Sequence, residues 1–184
     1  MIGVPIWYVI GILIIFSPEF STEFQMTEAA TAGKAIMWSY LGLALGDLSS
    51  GLVSQYLKSR RKSVFIFLVL TCIFTAVYLN LNAPSLFMFY FVCTLLGFGT
   101  GYWAVFVTIG AEQFGTNLRA TAATTIPNFV RGTVVPITIS FQWVSASHGL
   151  ITGAAVVGAA CLAIAFVSLW KMEETFSKDL NYTE

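Results

Sequence analysis

Charged side chains are scarce in this sequence: Asp, Glu, Lys and Arg make up 10% of its 184 residues, and the formal net charge is zero. A neutral chain with so few basic residues has no charge pattern for binding nucleic acid. Hydrophobic residues make up 57%, and the mean hydropathy of +0.81 is far above that of soluble globular proteins. The composition therefore predicts an integral membrane protein.

Histidine and cysteine are also rare, which limits the chemistry that the chain can perform. The only histidine, His148, lies at the end of an apolar run, and one peripheral imidazole cannot build a Ser/His dyad or a metal cluster. Cys72, Cys93 and Cys161 lie inside apolar runs without metal-ligand spacing, so we expect them to be packing residues. We expect no metal, no cofactor and no enzymatic activity.

Long polar connections are missing as well, because six apolar stretches fill the chain almost end to end. They cover about residues 2–17, 33–57, 63–80, 85–110, 119–144 and 149–170. Each is long enough to cross a bilayer, and each must be helical because a lone strand would leave backbone groups unpaired in lipid. The sequence predicts one all-α domain of six transmembrane helices over residues 1–184. Pro18 should end the first helix, and residues 17–31 should form the longest polar connection.

The basic residues indicate how these helices are oriented. Seven of the nine follow the second, fourth or sixth stretch: Lys58, Arg60, Arg61, Lys62, Arg119, Lys171 and Lys178. Cytoplasmic loops carry an excess of Lys and Arg, so this side should be cytoplasmic, together with both termini. Residues 17–31, the turn around Pro84 and residues 145–148 should lie on the opposite side. We expect a multi-pass protein of the plasma or inner membrane.

Six helices also divide into two triplets that enter the membrane from opposite sides. This count permits the inverted three-helix repeats from which many secondary transporters are built.

Two ionisable residues lie deep inside predicted helices. Asp47 stands about ten residues before the end of the second helix and Arg131 about twelve residues past Arg119, which places them roughly 15 and 18 Å deep at 1.5 Å per residue. Charges at such depth usually face a wet cavity, so they indicate a substrate or proton site; the alternative is a structural Asp47–Arg131 ion pair. Asn128 shares the helical face of Arg131, and Trp103 could line the same cavity or only pack.

Glycine and proline recur inside the helices. Gly42, Gly46, Gly149, Gly153 and the cluster at 97–101 have the spacing that lets membrane helices pack closely, and no strand precedes the cluster to make it a nucleotide loop. Pro127 and Pro136 should bend the fifth helix.

Three short motifs carry a family resemblance. Residues 112–120, Glu-Gln-Phe-Gly-Thr-Asn-Leu-Arg-Ala, resemble the Glu-x-Phe-Pro-Thr-x-x-Arg-Ala motif of sugar porters and metabolite:proton symporters in the major facilitator superfamily, with Gly115 replacing proline. Residues 51–61 are similar to that superfamily's Gly-x-x-x-Asp-Arg-x-Gly-Arg-Arg loop, with Gln55 and Tyr56 replacing the Asp-Arg pair and one residue inserted. Glu174-Thr175 resembles the Pro-Glu-Thr after the twelfth helix. The whole chain resembles the C-terminal six-helix half.

This resemblance implies a secondary transporter that works by alternating access. It implies a cytoplasmic latch of Glu112 and Arg119 with Arg60 and Arg61, and as partners a small-molecule substrate and a second six-helix unit, either an N-terminal half or a second copy. The sugar-binding Gln-Gln signature is missing from the first helix. With Arg131 at mid-depth, we expect a small organic anion carried with protons.

Two other functions remain open from the sequence. A six-helix substrate-binding subunit of an ATP-driven vitamin importer would fit the length, and an integral membrane enzyme would have to work without a central histidine. A purely structural subunit would leave Asp47 and Arg131 without a role.

Overall fold

A computed structural model describes residues 1–176. Two features of the sequence lie outside the described residues. They are Lys178, expected on the cytoplasmic side, and the triplet Asn181-Tyr182-Thr183, which matches the acceptor pattern for N-glycosylation. Across the described range the secondary structure is entirely helical. The helices are α1 (Val4–Ile14, with a π-helical second part, Val9–Ile14), α2 (Ser17–Glu23), α3 (Ala32–Tyr56), α4 (Arg60–Leu79), α5 (Leu86–Thr100), α6 (Trp103–Glu112), α7 (Arg119–Gly132), α8 (Val134–His148) and α9 (Leu150–Lys171).

Four helical stretches are long and apolar enough to cross a membrane: α3, α4, α9 and the combined stretch Leu86–Glu112. A fifth results if α1 and α2, which meet at an angle of 61°, count as one broken span. The prediction of an all-helical fold is therefore confirmed for the described residues, with four to five of the six predicted helices long and apolar enough to span a membrane.

The start of the chain differs from the sequence-based expectation. Pro18 does not end the helical structure but lies in the first turn of α2, where its missing N–H would have no helical partner in any case. Phe20 is fully buried in α2, and its ring packs against Tyr78 and Phe141. The polar connection therefore shortens to residues 24–31.

Three tyrosines fix α1 in the middle of the bundle. The hydroxyl groups of Tyr78 and Tyr102 donate hydrogen bonds to the carbonyl oxygens of Leu13 and Ile2, at 2.8 and 2.9 Å. The hydroxyl of Tyr8, in α1 itself, donates to the carbonyl oxygen of Ala154 in α9 at 2.8 Å. All three rings are fully buried, so α1 contacts its neighbours on every side.

Helices α3 and α5 pack backbone against backbone through the predicted glycines. A Cβ atom at Gly42 would overlap the carbonyl oxygen of Thr94, and one at Gly97 would overlap that of Ser39. Gly46 and Gly101 meet in the same way one turn further along. The close-packing prediction for these glycines is confirmed. Gly101 also ends α5, so the predicted fourth span is interrupted before α6 begins.

The predicted fifth span is interrupted too. Helix α7 ends at Gly132 and α8 begins at Val134, since the ring nitrogen of Pro136 cannot donate to the carbonyl group of Gly132. Helix α8 then runs on to His148, and Gly149 makes the turn with a φ of +86°. The turn expected at residues 145–148 is thus the last turn of a helix.

Candidate functional site

Helix α7 presents a row of polar side chains at the surface of the bundle. Its exposed members, here called the polar face, are Thr121, Thr124, Thr125, Asn128 and Arg131. Other helices expose mainly large apolar side chains, such as Leu48 and Leu52 of α3 at 69% and 72% exposure. Lipid solvates the apolar surfaces well but not a row of hydroxyl, amide and guanidinium groups. The polar face therefore needs water or another protein beside it.

Asp47 is a half-buried carboxylate of α3 that lies against the start of α6. Its Oδ1 accepts a hydrogen bond from the backbone N–H of Ala104 at 3.0 Å. The interruption after α5 leaves the first N–H groups of α6 without helical partners, and a carboxylate at a helix N-terminus satisfies one of them and gains from the helix dipole. The predicted mid-depth acid is thus the acceptor at the beginning of a half-length helix.

Trp7 of α1 brings the other candidates together. Its ring meets that of Trp103 edge to face, with centroids 5.7 Å apart, and the guanidinium carbon of Arg131 lies 4.9 Å from the Trp7 ring centroid. Trp103 directly precedes Ala104, whose backbone N–H binds Asp47. Neighbouring residues and ring contacts therefore link Asp47 to Trp103, Trp7 and Arg131 in that order. The Nε1 of Trp7 is buried and has no hydrogen-bond partner within residues 1–176. Sequence reasoning missed Trp7, although it is the only tryptophan in the first apolar run.

The alternative of an Asp47–Arg131 ion pair is not what the structure has. Among the described residues no salt bridge joins the two, because Asp47 binds Ala104 and Arg131 stacks on Trp7. Asn128 uses its side-chain NH2 group on the carbonyl oxygen of Thr124, one turn earlier, at 2.9 Å. Asn128 and Arg131 are both exposed on this face.

A second group of polar side chains gathers where α6 ends and α4 begins. Arg60 and Glu112 form a salt bridge at 3.1 Å, with side chains only 15% and 13% exposed. The same guanidinium donates to the hydroxyl of Ser54 at 3.1 Å, and the second carboxylate oxygen of Glu112 accepts from the hydroxyl of Thr175 at 2.7 Å. The structure thus joins two of the four predicted latch residues directly.

Glu174 occupies the N-terminus of α4. Its carboxylate accepts hydrogen bonds from the hydroxyl of Ser59 and from the backbone N–H groups of Arg60, Arg61, Thr175 and Phe176. Partial burial acts to raise the pKa of Glu174, but these hydrogen bonds outweigh burial and hold the pKa below its ordinary value. Glu174 therefore carries its charge beside the positive end of the helix dipole. The resemblance pointed to this residue, but no sequence pattern predicted that it would cap α4.

The other two latch candidates lie at the same end in different roles. The guanidinium of Arg61 donates to the carbonyl oxygen of Trp170 in α9 at 3.2 Å, so it does not share the carboxylate of Glu112. Arg119 is the first residue of α7, half-buried at the same end of the bundle.

No protein-family model, curated protein or solved structure matches this chain. The function must therefore be inferred from the chemistry of the two groups. Within residues 1–176 no three His, Cys, Asp or Glu side chains come together to hold a metal ion. The polar face offers the guanidinium of Arg131, a group that can bind an anion, while the carboxylate of Asp47 and the buried indole N–H of Trp7 belong to α3 and α1. The group around Arg60 and Glu112 offers a largely buried charge pair at one end of the bundle.

Proposed function

We propose that this chain is one six-helix half of a secondary active transporter that carries a small organic anion together with protons by alternating access. The observation that carries the proposal is the exposed polar face of α7, whose Arg131 stacks on Trp7; Trp7 contacts Trp103, the residue before the Ala104 that binds Asp47. A half-carrier lacks the opposite wall of its cavity, and its cavity-lining side chains are then exposed.

Membership of the major facilitator superfamily is part of this proposal. The three motif segments are far apart in the sequence, yet their side chains meet: Arg60 binds Glu112, Glu112 binds Thr175, and Glu174 binds the backbone of Arg60. Charge networks between these segments are what the resemblance implies for the cytoplasmic latch. Such a pair gains from contact and can separate at modest cost.

The proposed topology has six spans. The sixth comes from α7 and α8 together, and the low hydropathy of α7 is explained if its polar face borders a cavity and not lipid. The two triplets would then be inverted repeats, with both termini and the Arg60–Glu112 pair on the cytoplasmic side of a plasma or inner membrane. An N-terminal six-helix half or a second copy would supply the missing wall.

The substrate class is inferred from Arg131 and Trp7. A guanidinium presents paired donors to a carboxylate or phosphate, and the indole ring beneath it keeps it in place. The unpaired Nε1 of Trp7 adds one more donor. Asp47 would bind and release the coupled proton as the solute moves, and protonation would weaken its hold on the start of α6.

The test begins with the native membrane polypeptide that carries this segment, detected with an antibody against residues 171–184. A band near twice 20.1 kDa would identify a twelve-helix carrier, and a band at 20.1 kDa would require a second copy. That protein, reconstituted in liposomes with an imposed pH gradient, should accumulate radiolabelled small carboxylates and lose accumulation when a protonophore is added. Tight binding of a solute without accumulation would favour a vitamin-importer subunit and overturn the proposal.

A further inference from the structure

A groove of about 660 Å³ opens between α4 and α9 at the end of the bundle that holds the Arg60–Glu112 pair. It is built by other helices than the polar face, which belongs to α7. Arg61 and Lys62, from the first turn of α4, lie at its mouth. Phe65, Ile66, Phe166 and Trp170 form its walls. Glu174 lines the same end, so that end carries two cations and one carboxylate, and the rest of the groove is mainly apolar.

The apolar walls are partly exposed at the surface of the bundle. Phe65 is 52% exposed, Ile66 40% and Trp170 81%. The rings of Phe65 and Phe166 meet edge to face with centroids 5.9 Å apart, so these two walls form one continuous aromatic surface. On a membrane-spanning helix such an aromatic surface lies against acyl chains. Trp170, near the end of α9, is of the residue type that prefers the headgroup level.

The cations of the groove have hydrogen-bond donors that are not used within the described residues. Lys62 is exposed, and its ammonium group forms no hydrogen bond or salt bridge within residues 1–176. Arg61 uses one of its guanidinium nitrogens on the carbonyl oxygen of Trp170, and a guanidinium has five N–H donors in all. The two cations can therefore hold an anion at the point where the helices leave the apolar layer.

Glu174 limits where that anion can sit. Its carboxylate already occupies the backbone N–H groups of Arg60 and Arg61 at the start of α4. A second anion must then bind to the side chains of Arg61 and Lys62, displaced outward from the helix axis toward the headgroup layer. Glu174 thus keeps a free anion away from the backbone N–H groups at the start of α4. An anion bound further out is favoured if it belongs to a molecule whose apolar part also packs in the groove.

We propose that this groove binds one anionic phospholipid, with its phosphate on Arg61 and Lys62 and an acyl chain along the wall of Phe65 and Phe166. Basic pockets between transmembrane helices are recognised sites for anionic headgroups. The charge complementarity sets the headgroup class, and the length of the apolar wall requires an attached chain. The bound lipid would brace α4 against α9 beside the Arg60–Glu112 pair.

The test measures lipid binding to the purified full-length protein in detergent by native mass spectrometry. Phosphatidylglycerol should bind at least about fivefold more tightly than phosphatidylcholine with the same acyl chains. Lys62→Gln should remove most of that preference, whereas Lys34→Gln, an equally exposed lysine in α3, should leave it unchanged. Equal affinity for both lipids, or equal loss in both variants, would overturn the proposal.

A second pair of variants tests the apolar part. Phe65→Gln should weaken phosphatidylglycerol binding, while Phe87→Gln, which alters an 81% exposed phenylalanine of α5, should not. Inorganic phosphate at millimolar concentration should fail to displace the lipid. Full displacement by inorganic phosphate would mean that the groove binds a free anion, and it would also overturn the proposal. None of these measurements depends on the transported solute, so they can fail while the proposed transport function stands.

Discussion

The Oδ1 of Asp47 lies 3.0 Å from the backbone nitrogen of Ala104, 57 residues further along the chain. One of the deep charges of the bundle is therefore the acceptor that begins α6. Because a protonated carboxyl group is a weaker acceptor than a carboxylate, the charge on Asp47 and the start of α6 are coupled.

Replacing Asp47 by Asn should separate its role as hydrogen-bond acceptor for Ala104 from its proposed role as proton carrier. The amide oxygen can still accept from Ala104, so the thermal midpoint should change little, whereas the side chain can no longer exchange a proton. Uptake driven by a pH gradient should fall at least about tenfold, as expected for loss of the coupling group. Asp47→Ala, which also loses the acceptor, should destabilise the protein by about 1 kcal/mol more. Undiminished pH-driven uptake by the Asn variant would rule out Asp47 as the proton carrier.

Arg131→Lys should weaken binding of an anionic solute. An ammonium group cannot reproduce the paired guanidinium donors or their stacking on Trp7, so we expect KM to rise by about tenfold with kcat less affected. Lys34→Arg, remote from the polar face, serves as the control in the same uptake assay. An unchanged KM in Arg131→Lys would remove Arg131 from the substrate site.

The Arg60–Glu112 pair should show energetic coupling. A double-mutant cycle with Arg60→Gln and Glu112→Gln, measured by thermal unfolding in detergent, should give about 1–3 kcal/mol, because both side chains are largely buried. The matched cycle with Arg61→Gln should give a value near zero, since Arg61 binds the carbonyl oxygen of Trp170. Equal coupling in the two cycles would contradict the observed pairing.

Glu174 should make stability depend on pH. Its pKa is lower in the folded protein than in the unfolded chain, so the stabilisation is present above the ordinary Glu value of about 4.3 and is lost as the pH falls through the folded value. In Glu174→Gln, the decrease of the thermal midpoint at acid pH should be smaller than in the parent. Glu173→Gln is the neighbouring control. A decrease of the same size in Glu174→Gln and the parent would exclude this contribution.

The packing of α3 on α5 predicts opposite effects at two glycines of one helix. Gly42→Ala should destabilise the protein by about 1–3 kcal/mol, because the new methyl group overlaps the backbone of Thr94. A Cβ atom at Gly51 would have no neighbouring atom within 4 Å. Gly51→Ala should therefore leave the protein's stability unchanged or raise it by up to about 1 kcal/mol. Thermal unfolding of both variants tests this, and destabilisation of equal size would argue against the close approach.

Some of this arrangement could be predicted from the sequence. Apolar runs and glycine spacing are local signals, and they predicted the long apolar helices and the close packing at Gly42 and Gly97. Asp47 and Arg131 stood out because a charge inside an apolar run is costly.

The rest depended on contacts distant in sequence. Trp7 joins two candidates only through the packing of α1 against α6 and α7, and an aromatic residue in an apolar run has no distinguishing pattern. The capping of α4 by Glu174 joins residues 114 positions apart. The first helix already ends at Ile14, and Pro18, which was expected to end it, lies in the first turn of α2, because proline is also accommodated at the start of a helix.

The glycine contacts between α3 and α5 also limit how this protein can change shape. Helices whose backbones touch cannot slide or rotate past one another without steric clash, so α3 and α5 must move as one rigid body. Asp47 travels with that body, while α6 is attached to it through the short link after Gly101 and through the hydrogen bond to Ala104. Under the proposed function, protonation of Asp47 would weaken that hydrogen bond and so change how firmly α6 is held to this body.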